Sequence, residues 1–96
     1  MTVAMLLAIL EIPDLTSIKD KRRIVVSLRD RLIRKFKVSA AEVDLHDSLS
    51  FAQIGVALVC NDRRHGERVM QKVLTFIEDQ LPGRVHEVQT HTEIYE

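Results

Sequence analysis

Glu42, Asp44 and His46 stand at every second position of one short stretch. On an extended strand that spacing puts all three on one face, where two carboxylates and an imidazole could hold a divalent metal. The same residues serve equally well as charges that keep an edge strand from pairing with another chain. No second cluster at ligand spacing joins them, so neither a metal nor any other cofactor is expected. The other candidates are isolated. His86 and His91 differ in strand parity and do not converge. His65 falls near the start of a helix, where a positive charge is poorly placed, and reads as a neutral hydrogen-bonding residue. Cys60, the only cysteine, ends an apolar run and reads as a buried, inert thiol. Asn61 and Asp62 follow it, and both are residue types that cap helices. No catalytic set emerges, and an enzyme is not expected.

Charge is more informative. The 96 residues carry no net charge, yet nine basic residues between Lys19 and Lys37 face only Asp20 and Asp30. That segment holds +7 and the remainder −7, a split that suits a surface made for an anionic partner. Lys19, Lys21, Arg22, Arg23, Arg29, Arg31, Arg34 and Lys35 are therefore the candidate nucleic-acid-binding residues, contacting phosphates through charge. The plainer alternative is a solvated helix face that balances acidic surface elsewhere. A third is an acidic protein partner with no RNA contact. Recognition by stacking bases on a sheet is disfavoured, because the central strands offer Phe51 and otherwise small aliphatic residues and Gly55.

The elements that must position these residues follow from periodicity. Thr2 to Ile12 is apolar apart from Thr2 and Glu11 and fits a helix or a buried strand by period alone. Pro13 ends it and a stronger helix start follows, so a strand is expected. Ser17 with Asp20 three residues on forms a capping-box pattern. Ile24, Leu28, Leu32 and Phe36 then repeat every four residues, with Val25 and Ile33 widening the stripe, which specifies an amphipathic helix. Val38 to Leu45 reads as an edge strand, His46 to Ser50 as a loop, and Phe51 to Cys60 as a buried strand. A second helix begins at Asn61-Asp62, runs through Val69, Val73, Phe76 and Ile77, and stops at Pro82-Gly83. Arg84 to Tyr95, rich in Val, Thr, Ile and Tyr, makes a last strand.

The order β-α-β-β-α-β is that of an α+β ferredoxin-like sandwich, a four-stranded antiparallel sheet with two helices on one face. Residues 1–96 are expected to form a single domain, since this length supports one core. The apolar N-terminal run is too short to span a bilayer and lacks the basic flank of a signal peptide. No membrane role and a cytoplasmic location are expected.

The segment Thr16-Ser17-Ile18-Lys19-Asp20-Lys21-Arg22-Arg23 resembles the HSLKEKR lead-in to the first helix of the YlxP-like bacterial family, a domain of unknown function. Val38-Ser39, Ala41-Glu42-Val43-Asp44, Ile54-Gly55-Val56-Ala57, Asn61-Asp62, His65 and Phe76-Ile77-Glu78 match its later blocks. Thr16 replaces the usual histidine and Ile18 the usual leucine. The resemblance implies a ferredoxin-like fold in the bacterial cytosol and a link to translation or ribosome maturation, so RNA or the ribosome is the implied partner. It carries over no catalytic residue.

The first strand is apolar on both parities: Val3, Met5, Leu7 and Ile9 alternate with Ala4, Leu6, Ala8, Leu10 and Ile12. Two helices cover one side of a sheet only. The uncovered side would expose an apolar patch of the kind that marks interfaces, and a homodimer or other homo-oligomer through that open face is expected.

Overall fold

The computed structural model describes all 96 residues. The elements run β1 (Thr2–Glu11), α1 (Ile18–Phe36), β2 (Ser39–Asp44), β3 (Phe51–Cys60), α2 (Arg63–Gln80) and β4 (Arg84–Ile94). The four strands form one sheet in the order β2-β3-β1-β4, with every neighbouring pair antiparallel. This is the expected ferredoxin-like plan, with both helices on one face.

Alternation along β1 decides which side chains enter the core. Ala4, Leu6, Ala8 and Leu10 are buried beneath the helices, while Val3, Met5, Leu7 and Ile9 are half-buried on the open side. In β3, Ala52, Ile54 and Val56 point inward and meet Val25, Leu28 and Leu32 of α1 and Met70, Val73 and Ile77 of α2 in one core. Each of these helical sets follows the three-to-four-residue spacing that places side chains on one stripe.

Both helices begin as anticipated. Ser17, in extended conformation, accepts the Asp20 backbone N–H on its hydroxyl at 3.1 Å. The reciprocal half of the capping box is replaced, since the Asp20 carboxylate accepts from the Thr16 hydroxyl at 3.2 Å. Of the two candidate caps before α2, Asp62 performs the function, its carboxylate accepting from the backbone N–H groups of Arg64 and His65. Lys37 closes α1 in the left-handed region (φ 57°) and donates its N–H to Ile33 O at 3.0 Å.

Two glycines permit close approaches. A Cβ at Gly66 would lie 2.9 Å from Ala4 Cβ and 3.1 Å from Cys60 Sγ, so its absence lets the first turn of α2 settle onto the sheet. At Gly83 a Cβ would fall 2.0 Å from the Glu11 carbonyl oxygen, where the chain enters β4 beside the end of β1. Strand β1 ends one residue earlier than its apolar run. Ile12 leaves the sheet for the core and donates its N–H to Ser50 O at 2.7 Å.

Candidate nucleic-acid interface

Seven of the eight candidate basic residues lie exposed or half-exposed on α1, and the eighth is inside. Lys21 is 1% exposed. Its spacing to Val25, Leu28 and Leu32 places it on the buried stripe rather than among the outward charges. The ammonium lies within a loop of backbone carbonyls, donating to Leu45 O at 2.8 Å, Phe51 O at 2.9 Å and Ser48 O, with His46 O at 3.4 Å. Glu42 Oε2 stands 3.9 Å away and is itself buried without a hydrogen-bond donor. Lys21 therefore holds the β2–β3 connection closed. It is unavailable to a phosphate, which corrects its assignment as a binding residue. The signal was present in the i, i+4, i+7, i+11 spacing, but residue type outweighed it.

The remaining cations divide by their position around the helix. Arg22 and Arg29, seven residues apart and so within about 20° of one another around the axis, flank β2. They line a small cleft of about 150 Å³ with Val26, Glu42 and His46. Arg31 and Lys35 face α2. There Arg31 donates to Gln80 Oε1 at 2.9 Å and lies 5.8 Å from the Phe76 ring centroid, while Lys35 Nζ lies 5.6 Å from the same ring. Phe36 meets Phe76 edge-on at 5.7 Å, so these two cations border an aromatic helix–helix seam. Lys19, Arg23 and Arg34 occupy the outer face with Lys37 just beyond the last turn, all exposed. Arg29 is tied to neighbouring Asp30 at 2.9 Å, and Arg23 is a looser 3.8 Å from Asp20.

Charge is also sorted by layer. The two helices carry twelve basic and five acidic residues, or +7. The strands and connecting segments carry two basic and nine acidic residues, or −7. A partner approaching the helix side thus meets a positive surface, whereas on the open face of the sheet Glu11, Asp44, Glu87 and Glu93 stand against Arg84 alone among the lysines and arginines, a weakly acidic surface.

The metal-spaced triplet does not form as a set. A register shift at Val43 breaks the β2 alternation, so that Glu42 pairs with Ile54 on the helix side while Asp44 pairs with Gln53 on the open side. The shared parity seen in the sequence is lost at this bulge. His46 remains 3.9 Å from Glu42. His65 is exposed on the first turn of α2. His86 packs edge-on against Phe51 at 5.5 Å, and His91 Nε2 lies 3.2 Å from Glu93 Oε2. The Cys60 thiol, half-buried rather than buried, donates to Asp62 O at 3.4 Å.

The open face of the sheet is shallowly concave. Ala41, Gly55 and Ala57, small residues beside Met5, Leu7, Gln89 and His91, leave a depression of about 720 Å³ across the strands. Val43 and Val59 are the well-exposed apolar side chains on this side. No helix is long and apolar enough to cross a membrane.

Comparison with known proteins agrees with this architecture. A de novo designed protein with a ferredoxin fold, solved by NMR in solution, superposes with a TM-score of 0.57, covering 97% of this chain and 83% of the designed one. At 11% identity that likeness concerns the fold alone. The "Uncharacterized protein YlxP" of Bacillus subtilis (strain 168) is 34% identical over 80 residues, which is 83% of this chain and 85% of that protein. Residues 3–90 match the family described as "Protein of unknown function (DUF503)". The chain therefore belongs to the DUF503 family and is YlxP-like.

Proposed function

We propose that the chain is a nucleic-acid-binding module, associated with the ribosome, that receives the phosphate backbone of a structured RNA on the outer face of α1. Its role is binding rather than catalysis. The sorting of charge by layer carries this reading: a chain with no net charge places +7 on its helices. The cations left free to reach a partner are Lys19, Arg22, Arg23, Arg34 and Lys37, with Arg29 in support. A rigid helix presents them without the ordering cost of a flexible basic tail. The sheet side offers little to a base, because Phe51 is already engaged edge-on by His86. Contact with backbone rather than with bases is therefore the mode that fits. The ribosomal setting comes from the family resemblance.

The test is retention on immobilised ribosomal RNA across a salt series. The logarithm of affinity should fall linearly with the logarithm of salt, with a slope of about 0.7 to 0.9 per phosphate neutralised. The triple variant Arg22→Glu, Arg23→Glu, Arg34→Glu alters only exposed side chains and should abolish retention while leaving the fold intact. Unchanged affinity in that variant removes α1 from the account. A pull-down that survives nuclease treatment would point instead to an acidic protein on the same face. The depression on the open sheet face favours a second, separate role in protein contact or self-association.

A further inference from the structure

The two edges of the sheet are built differently. Strand β2 is six residues long, is bulged at Val43, turns the Glu42 carboxylate inward, and is followed by the loop that Lys21 holds closed. Short length, a bulge and an inward charge are the devices that keep an edge from recruiting another strand. Strand β4 has few of them. It is the longest strand, eleven residues, and pairs only with β1. Its single irregularity lies near its start, opposite Ile9 and Leu10. From Glu87 to Ile94 it runs regular and contains neither proline nor lysine. Its outer edge is a row of unpaired N–H and C=O groups, a template for a further strand.

The side chains of this edge specify an occupant. In the regular part, Glu87, Gln89, His91 and Glu93 lie on the open face, opposite Ile9, Leu7, Met5 and Val3. An antiparallel pairing of β4 with itself about a two-fold axis at Gln89, normal to the sheet, sets Gln89 opposite Gln89 of the second copy. It also sets Glu87 opposite His91 of the second copy, twice by symmetry. Val88 then faces Thr90 on the helix side. Glu87 has no ion-pair partner in its own chain, and the His91 ring has a nitrogen to spare beyond the one near Glu93. Shifting the register by two residues one way puts Glu87 opposite Glu93, and like charges directly across a pair are unfavourable. The other shift leaves Glu87 opposite Gln89 with no charge partner.

We propose that the partner of β4 is a second copy of this chain, joined edge to edge through Glu87–His91 into one continuous eight-stranded sheet. This interface is distinct from the open face, which it leaves free and doubles in extent. An axis normal to the sheet keeps both helix layers on the same side, so the dimer presents two copies of the α1 surface in one direction. The inference does not depend on what α1 binds.

Light scattering and sedimentation of the purified protein from micromolar to millimolar concentration test it. A dimer is expected, together with slowed, concentration-dependent amide exchange in β4. The variant Glu87→Lys, at an exposed position, should keep its circular dichroism spectrum and weaken dimerisation by roughly tenfold or more, since it removes from both cross-strand pairs the carboxylate that meets the His91 ring and puts a cation in its place. The double variant Glu87→Lys, His91→Glu restores opposite charges across the axis and should recover the dimer. A wild-type protein that stays monomeric at millimolar concentration overturns the proposal. So does a dimer that is indifferent to Glu87→Lys but dissolved by a folded Leu7→Lys variant, because that result places the contact on the open face.

Discussion

Replacing Lys21 by Met keeps most of the stem that packs beside Val25 and Leu28 and removes the ammonium alone. The carbonyls of Leu45, Ser48 and Phe51 then lose their donor, and Glu42 Oε2, already without a hydrogen bond, loses the cation 3.9 Å away. Removing one member of a buried charge pair costs about 3–5 kcal/mol, because the other charge is left uncompensated. Hydrogen bonds to a charged donor are each worth about 1.5–3 kcal/mol. The carbonyls belong to a surface connection that water can enter once the ammonium is gone, which moves the expected loss to the low end, about 3 kcal/mol. For a domain of this size each kcal/mol moves the melting temperature by roughly 4–8 °C, so Tm should fall by about 12–24 °C. Urea denaturation and thermal scans followed by far-UV circular dichroism read both quantities. Lys21→Arg should recover little, because a planar guanidinium cannot direct its donors into a cage shaped around a compact ammonium. Adding Glu42→Gln to Lys21→Met should lessen the loss, since it removes the stranded charge. A loss below about 1 kcal/mol in Lys21→Met would refute a structural role for the ammonium, being no more than an ordinary single hydrogen bond contributes.

Gly83→Ala should destabilise more than Gly66→Ala in the same urea assay. The first Cβ meets backbone at 2.0 Å, whereas the second meets a methyl group and a thiol that can shift. For Gly66→Ala a loss of about 1–3 kcal/mol is expected from overpacking. Asp62→Ala removes the cap of α2 and should cost about 1 kcal/mol, seen as a lower urea midpoint with an unchanged slope. Leu32→Ala empties a fully buried position between helix and sheet and should cost about 2–5 kcal/mol.

The fold was legible because local signals agreed with one another. The four-residue repeat from Ile24 to Phe36, the caps at Ser17 and Asp62 and the stop at Pro82-Gly83 each specify a local conformation with no help from distant residues. The double-sided apolar pattern of β1 pointed to an interface on the open face, while its place at the centre of the sheet shows only in the pairing with β3 and β4. The candidate site was legible only as a charge. Whether a lysine on a helix faces water or the core depends on what the core offers it. Here the offer comes from carbonyls of residues 45–51, aimed inward by a connection that includes Leu45 at φ 64°. The spacing of Lys21 from Val25, Leu28 and Leu32 puts it on the buried stripe, but nothing within α1 shows that carbonyls wait there to receive its ammonium. The bulge at Val43 is of the same kind, since a register shift is settled between two strands and shows in neither alone. For that reason the acidic triplet of β2 looked like one face and proved to be two.

The gathering of positive charge on the helix side makes the molecule a dipole whose net charge is zero. At distances well beyond the Debye length of about 8 Å in physiological salt, such a body is scarcely drawn toward an anionic surface. Closer in, it feels a torque before it feels a net pull, and turns its helices toward the surface and its sheet away. Collisions are thus sorted by orientation rather than multiplied by attraction, and an encounter that begins sheet-first is rotated or repelled instead of being held in the wrong pose. The same asymmetry acts between copies in solution, where the helix layer of one molecule attracts the sheet layer of the next. Added salt screens that head-to-tail attraction.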